Sequence, residues 1–223
     1  MFINKRLKAV SDLVKDGSSF IDIGCDHAFL DIYLATRKDR SFKKIVASDS
    51  KEVPLKQAEK NVRQRKLAKQ IELRLGNGLD VYTSDIDTVV ISGMGGRNMI
   101  GIFKNHLSYL KTINTIIVSP NNYQMDVKKF LTKNGYIIDE EILVKENKFI
   151  YQAIRFVKGK KKYSKKEFFF GPILLTKKDD LFFEYYNREK KSREILLDVL
   201  PKNYRLRRYQ IKKELKVLGE ELE

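Results

Sequence analysis

Asp22, Asp26 and Asp49 are the side chains whose type and spacing best suit them to chemistry. Asp22 and Asp26 flank Gly24 in Phe20-Ile21-Asp22-Ile23-Gly24-Cys25-Asp26-His27-Ala28-Phe29-Leu30, where an apolar run breaks into a turn that opens a helix. Gly24 permits backbone angles or a close ligand approach that a Cβ would obstruct. A phosphate-binding turn wants bare amides and positive potential, so two carboxylates call instead for a ligand that is cationic or rich in hydroxyls and amines. Asp49, in Ser48-Asp49-Ser50 and 27 residues beyond Asp22, is spaced to accept both hydroxyl hydrogens of a ribose. Its alternative role is to cap the helix that follows.

Two further loops belong with these acids. Gly76-Asn77-Gly78 offers a side chain for an adenine edge and two glycines that let a base approach, or forms an ordinary turn. In Ile91-Ser92-Gly93-Met94-Gly95-Gly96, the glycines around Met94 make either a loop whose amides face a substrate or cofactor or a tight strand-to-helix connection. A nicotinamide dinucleotide fits poorly, because Gly24-Cys25-Asp26-His27-Ala28 lacks the G-x-G-x-x-G spacing and Asp26 repels a pyrophosphate. S-adenosylmethionine carries a sulfonium and an ammonium, both favoured beside acids, so the chemistry points to methyl transfer.

These loops need a scaffold that brings them to one edge. Strand-like runs at Phe20 to Ile23, Lys44 to Ser48, Ile71 to Leu75, Thr88 to Ser92 and Thr115 to Ser119 alternate with helical patterns. The helices are expected at Ala28 to Thr36, Pro54 to Lys66, Asn98 to Leu107 and Met125 to Asn134. Such βα alternation predicts an α/β fold with a mostly parallel sheet, helices on both faces, and ligands at the carboxyl ends of the strands. Tyr136 to Lys145 and Lys148 to Val157, joined through Glu146-Asn147, read as an antiparallel closing hairpin. Met1 to Val14 reads as an amphipathic helix of the fold.

The first domain is expected over residues 1–157 and a second unit over 158–223. Lys158 to Lys166, with six lysines in nine residues, reads as a solvated linker, and Phe168-Phe169-Phe170 as an apolar dock before Gly171-Pro172 turns the chain. Asp179 to Leu200 and Tyr204 to Leu222 form a helical hairpin, with Leu181, Tyr185, Ile195, Leu196 and Val199 facing Ile211, Leu215, Leu218 and Leu222. The formal net charge is +16, and residues 158–223 hold 19 Lys and Arg against 11 Asp and Glu. Arginines interleaved with Tyr185, Tyr186, Tyr204 and Tyr209 favour RNA contact over a merely solvated hairpin. One cysteine excludes an internal disulfide and a multi-cysteine metal site, and two histidines leave little for zinc. No metal is expected. With no signal peptide or membrane span in the sequence, a cytoplasmic, monomeric protein is expected.

Asp22-Ile23-Gly24-Cys25-Asp26-His27-Ala28-Phe29-Leu30, Gly76-Asn77-Gly78-Leu79, Ser92-Gly93-Met94-Gly95-Gly96 and Ser119-Pro120-Asn121 together resemble the bacterial tRNA adenine-N1 methyltransferases that modify position 22, the TrmK-like family. The resemblance runs from about Lys5 to Val157, and the tail matches in architecture more than in sequence. It implies a class I, Rossmann-like methyltransferase core with a C-terminal helical domain, S-adenosylmethionine as cofactor and tRNA as partner. It implies cofactor contacts from Asp22, Gly24, Asp49, Asn77, Gly78, Gly93, Met94 and Gly95, with Asp26 as the catalytic aspartate and Pro120-Asn121 beside the target base. Cys25 stands where the family usually has Ser, Asn77 where it has Asp, and Ser119 where it has Gln. Tyr123 or Phe29 is available to stack on the base or to pack its own loop, and His27 to meet a substrate phosphate or a neighbouring backbone group. The rival readings are methylation of another RNA base or a small molecule, and a non-catalytic RNA-binding protein.

Overall fold

The computed structural model describes residues 3–223. The chain divides into two compact units, one ending at Lys162 and the other spanning Tyr163–Glu223.

The first unit is built on seven strands: β1 (Ser19–Ile23), β2 (Lys44–Asp49), β3 (Ile71–Leu75), β4 (Thr88–Ser92), β5 (Thr115–Ser119), β6 (Tyr136–Glu146) and β7 (Phe149–Lys158). Their order in one sheet is β3-β2-β1-β4-β5-β7-β6. β1 to β5 pair in parallel and β7 runs antiparallel to both β5 and β6, so β7 alone is reversed. Strand order turns back between β1 and β4, and at such a switch the carboxyl ends open a crevice. The middle strands read as near-continuous apolar runs because both faces are covered, and every residue of β1 is buried. That burial made β4 and β5 legible, and both fall where their sequences predict, as does the edge strand β3, of which only Ile71 is buried.

The connecting helices are α1 (Lys5–Leu13), α2 (Phe29–Ala35), α3 (Glu52–Gln64), α4 (Gly96–Asn105) and α5 (Gln124–Lys133). Asn4 caps α1 by accepting from the Leu7 amide, so the helix begins later than the predicted Met1 start, of which residues 1 and 2 lie outside the described residues. α4 starts two residues earlier than predicted because Gly96 joins its first turn. The β6–β7 turn falls at Asn147-Lys148, one residue later than predicted, with Asn147 at φ +54. β7 pairs with β5 only over Ile154 to Val157, so Phe149 to Ala153 run past the carboxyl end of β5. There the Lys5 amide donates to Glu146. Beneath the sheet, Lys128 and Glu141 form a fully buried ion pair at 3.4 Å, with Gln152 also donating to Glu141.

The first unit does not stop at residue 157, since β7 includes Lys158 and the lysine run to Lys162 belongs to it. The predicted linker ends early, because Ser164 and Glu167 form a reciprocal capping box that starts α6 (Lys165–Phe170). Pro172 then opens α7 (Pro172–Lys177), so the triple-Phe segment lies in a helix of its own unit. α8 (Asp180–Val199) and α9 (Arg205–Leu222) complete it. The Tyr186 ring packs edge-on to Phe170 at 4.8 Å and tilted on Phe182 at 4.7 Å, and its hydroxyl donates to the Phe170 carbonyl.

The predicted apolar seam is corrected at one end. Ile211 and Leu218 are buried, but Ile195, Leu196 and Val199 are 56%, 37% and 70% exposed. Polar clasps hold the end of α8 instead. Arg193 bridges to Glu214 at 2.6 Å, and Arg208 donates to the Leu197 carbonyl at 2.6 Å, where a cation also meets the negative end of the helix dipole.

Candidate active site

The turn after β1 is held in an uncommon backbone path. Gly24, Asp26 and Ala28 have φ of +75°, +53° and +56°. A Cβ on Gly24 would lie 2.3 Å from the Met94 methyl, the movable end of a flexible side chain, so it is the backbone angle that calls for glycine here. Two non-glycine residues in the left-handed region cost of order 1–3 kcal/mol each and persist only where neighbours over-determine them. Those neighbours are identifiable. The Gly24 and Cys25 amides donate to the Ser48 carbonyl at 2.8 and 2.9 Å, the Asp26 amide approaches Asp49 Oδ2 at 3.4 Å, and Asn61 of α3 donates to the His27 carbonyl at 3.0 Å.

A cavity of about 390 Å³ opens at the carboxyl ends of β1 to β4, and Gly24, Asp49, Asn77, Gly78 and Met94 all line it. These five, expected from the sequence as cofactor contacts, come together in this one cavity. Asp49 does not cap α3, whose N-cap is Lys51; its Oδ1 accepts from the Lys51 amide at 2.9 Å within the turn itself. Asp22 lies behind the wall, 4% exposed, with its carboxyl pushed up to about 7 by burial first and by Asp49 second. Gly93 and Gly95 do not line the cavity. The Gly93 amide is spent on the Ser119 carbonyl, and past Gly95 the Gly96 amide donates to Asn122. Asn121 holds this loop from the other side, donating from its side chain to the Gly93 carbonyl at 2.7 Å and from its amide to the Met94 carbonyl at 2.9 Å.

Asp26 is exposed, with His27 Nε2 3.6 Å from its Oδ1. Beside them Phe29 is 38% exposed and its ring centroid lies 5.4 Å from that of His27. Tyr123, on the loop after Pro120, is 41% exposed at φ +55, with the Arg97 guanidinium 4.2 Å from its ring centroid. The two aromatic side chains proposed for base stacking therefore stand where the connections from β1 and β5 enter α2 and α5, the same edge of the sheet.

Several residues here carried no sequence signal. Asn98, Asn105 and His106 add the α4 side of the cavity wall. His106 Nε2 lies 2.8 Å from Asp80 Oδ1 and its Nδ1 3.1 Å from the Ile102 carbonyl, fastening the end of α4 to the turn after Gly78. Asp31, in the first turn of α2, is wholly buried with neither carboxyl oxygen hydrogen-bonded, and burial followed by the charge of Asp22 holds its carboxyl well above the usual range. Burial, then Asp31, pushes the Cys25 thiol up as well, which makes it an inert filler. Among the described residues, no cluster of His, Cys, Asp or Glu is arranged to hold a metal ion, and no helix is long and apolar enough to cross a membrane.

A sheet of this order with only β7 reversed, and acids from the ends of β1 and β2 meeting at its switch point, defines a class I Rossmann-like methyltransferase. The sequence model of the tRNA (adenine(22)-N(1))-methyltransferase family matches residues 20–220, and the chain belongs to that family. The corresponding enzyme of Bacillus subtilis is 25% identical over 194 residues, 84% of this chain and 81% of that one. A putative tRNA (m1A22) methyltransferase of Streptococcus pneumoniae, solved with S-adenosyl-L-methionine, is 29% identical with a TM-score of 0.90 and full coverage of both chains. TrmK of M. capricolum, solved with S-adenosyl-homocysteine, is 27% identical with a TM-score of 0.86, covering 100% of this chain and 98% of that one. The activity of this chain is S-adenosylmethionine-dependent methylation of an adenine N1 in tRNA.

Proposed function

We propose that the cavity behind Gly24 and Met94 is the cofactor site, that Asp26 is the catalytic carboxylate at its mouth, and that Phe29 and Tyr123 receive the target adenine. The observation that carries this reading is the convergence on one cleft of Asp49, Asn77, Gly78 and Met94 with the turn that bears Asp26. The cleft suits the cofactor: Asp22 and Asp49 offer negative charge to an ammonium and a sulfonium, Asp49 has acceptors for ribose hydroxyls, and Asn77 makes no side-chain cap bond that would occupy it.

When bound, S-adenosylmethionine supplies an electrophilic methyl group on a positively charged sulfur. The work of the chain is then positional. The target base must leave its stack, and Phe29 and Tyr123 provide aromatic faces for it. Adenine N1 has an in-plane lone pair, so a base held with N1 about 3 Å from the methyl carbon is poised for in-line attack. N1-methylation leaves the adenine cationic, and Asp26 accepts the N6 hydrogen and balances the growing charge. Asp26 keeps its carboxylate exposed for that contact because the left-handed backbone at residue 26 spends its amide, not its side chain, on Asp49. His27 and Pro120-Asn121 border this mouth, His27 beside Asp26 and Asn121 as the brace of the Gly93 loop.

We further propose that Tyr163–Glu223 grips the tRNA body while the first unit does the chemistry, and that the enzyme works as a cytoplasmic monomer, since one chain supplies every group the cleft requires. The test is calorimetry and turnover on paired variants. Asp49→Ala is expected to weaken S-adenosylmethionine binding at least tenfold, and Asp26→Asn to leave that binding within twofold while turnover on tRNA collapses. Tight uptake of a nicotinamide dinucleotide in place of S-adenosylmethionine would sink the reading of the cleft.

A further inference from the structure

Arg6 of α1 is wedged between two parts of the site. Its guanidinium carbon lies 5.0 Å from the ring centroid of Tyr151, in the stretch of β7 that runs past the end of β5. On its other side, a Cβ on Gly93 would lie 3.2 Å from Nη2 and 3.6 Å from Nη1, and Gly93 leads directly into Met94 of the cavity wall. The side chain is partly buried, and its Nε is buried with no hydrogen-bond partner. Arg37, Arg74, Arg155 and Arg193 each meet a carboxylate. Among the described residues, none pairs with Arg6.

Drawing a guanidinium partly out of water without a counter-charge is costly, and the arrangement makes sense if an anion completes it. The planar fork presents fixed N–H donors that match a carboxylate or phosphate oxygen pair. We propose that Arg6 is an oxyanion-binding residue of the active site. Two anions come to this edge: the α-carboxylate of S-adenosylmethionine, which Asp22, Asp26 and Asp49 all repel, and a phosphate of the nucleotide being methylated. Tyr151 fixes the plane of the fork and Gly93 leaves room for it. This inference rests on the cleft being the cofactor site.

Two substitutions separate charge from packing: Arg6→Met keeps an apolar stem against Tyr151, and Arg6→Lys keeps the charge. If the anion is the cofactor's carboxylate, Arg6→Met loses at least tenfold in S-adenosylmethionine affinity by calorimetry. It then binds decarboxylated S-adenosylmethionine as wild type does, and KM for tRNA is unmoved. If the anion is a phosphate, cofactor affinity holds, KM for tRNA rises about tenfold, and its salt dependence flattens by roughly one phosphate contact. In both cases Arg6→Lys retains part of the function. Cofactor affinity and KM for tRNA both within twofold of wild type in Arg6→Met would overturn the proposal. Equal losses in the Met and Lys variants, tracking a lowered Tm, would assign Arg6 to packing and overturn it too. Asp49→Ala is the control: if it also leaves cofactor affinity intact, the reading of the cleft has failed, whereas a loss there alone confines the failure to Arg6.

Discussion

Asp22 is a carboxyl that the fold keeps out of water beside a second acid, and its titration should be visible in function. With its carboxyl raised to about 7, it is largely protonated below that pH and charged above it. A protonated Asp22 attracts no ammonium, so S-adenosylmethionine affinity should fall as pH drops from 8 to 6, by at most about tenfold per unit. Calorimetry across that range checks this; a flat profile would detach Asp22 from the cofactor. The stability sign is opposite to that of a salt-bridged acid. The folded state holds a proton that the unfolded chain releases near 3.8, so this burial costs stability as pH rises towards and through 7. Asp22→Asn should therefore raise Tm relative to wild type at pH 8, at about 2–4 °C per kcal/mol, with a smaller gain at pH 5, while cofactor affinity declines. Asp26 makes the contrasting case. It is exposed, and as the proposed catalytic carboxylate its replacement in Asp26→Asn should lower kcat by about 10²- to 10⁴-fold and leave Tm unchanged, as single-turnover and melting measurements would show.

At the scale of elements, the turn that bears Asp26 is a short segment held at three points, by the Ser48 carbonyl and Asp49 carboxylate of β2 and by Asn61 of α3. Asn61→Leu removes the clamp from α3 and leaves the His27 carbonyl without its donor. It should cost about 1–3 kcal/mol and reduce kcat more than cofactor affinity. An unchanged kcat with a lowered Tm would confine Asn61 to stability. The clamp also explains what the sequence disclosed and what it withheld. The acids of β1 and β2 and the glycines near Met94 were readable because each sits where an apolar run ends, and a parallel sheet forces such ends to one edge. Arg6, Asn61, Asp31 and His106 gave no local sign, because their importance comes from residues tens of positions away. The glycine loop after β4 was recognised as important, but it is fastened to the Ser119–Asn122 segment, its Gly93 and Gly96 amides donating to Ser119 and Asn122 and its Gly93 carbonyl accepting from Asn121, tertiary contacts that no spacing encodes. α6 was hidden inside a lysine-rich stretch, although Ser164 and Glu167 carried a capping signature that charge counting overlooked.

For the molecule as a whole, Tyr163–Glu223 interleaves 15 Lys and Arg with exposed tyrosines such as Tyr204 and Tyr209, and this sets the prediction for truncation. Removing residues 163–223 should leave S-adenosylmethionine affinity within twofold. It should also weaken tRNA binding at least tenfold at low salt, with the deficit shrinking as salt rises. Filter binding at several ionic strengths would measure it, and undiminished tRNA affinity would restrict recognition to the first unit. The aromatic nucleus of Phe170, Phe182 and Tyr186 is made wholly from within that segment. A block that packs its own aromatic core is a portable part, one that can be transplanted as a cassette with its helices intact.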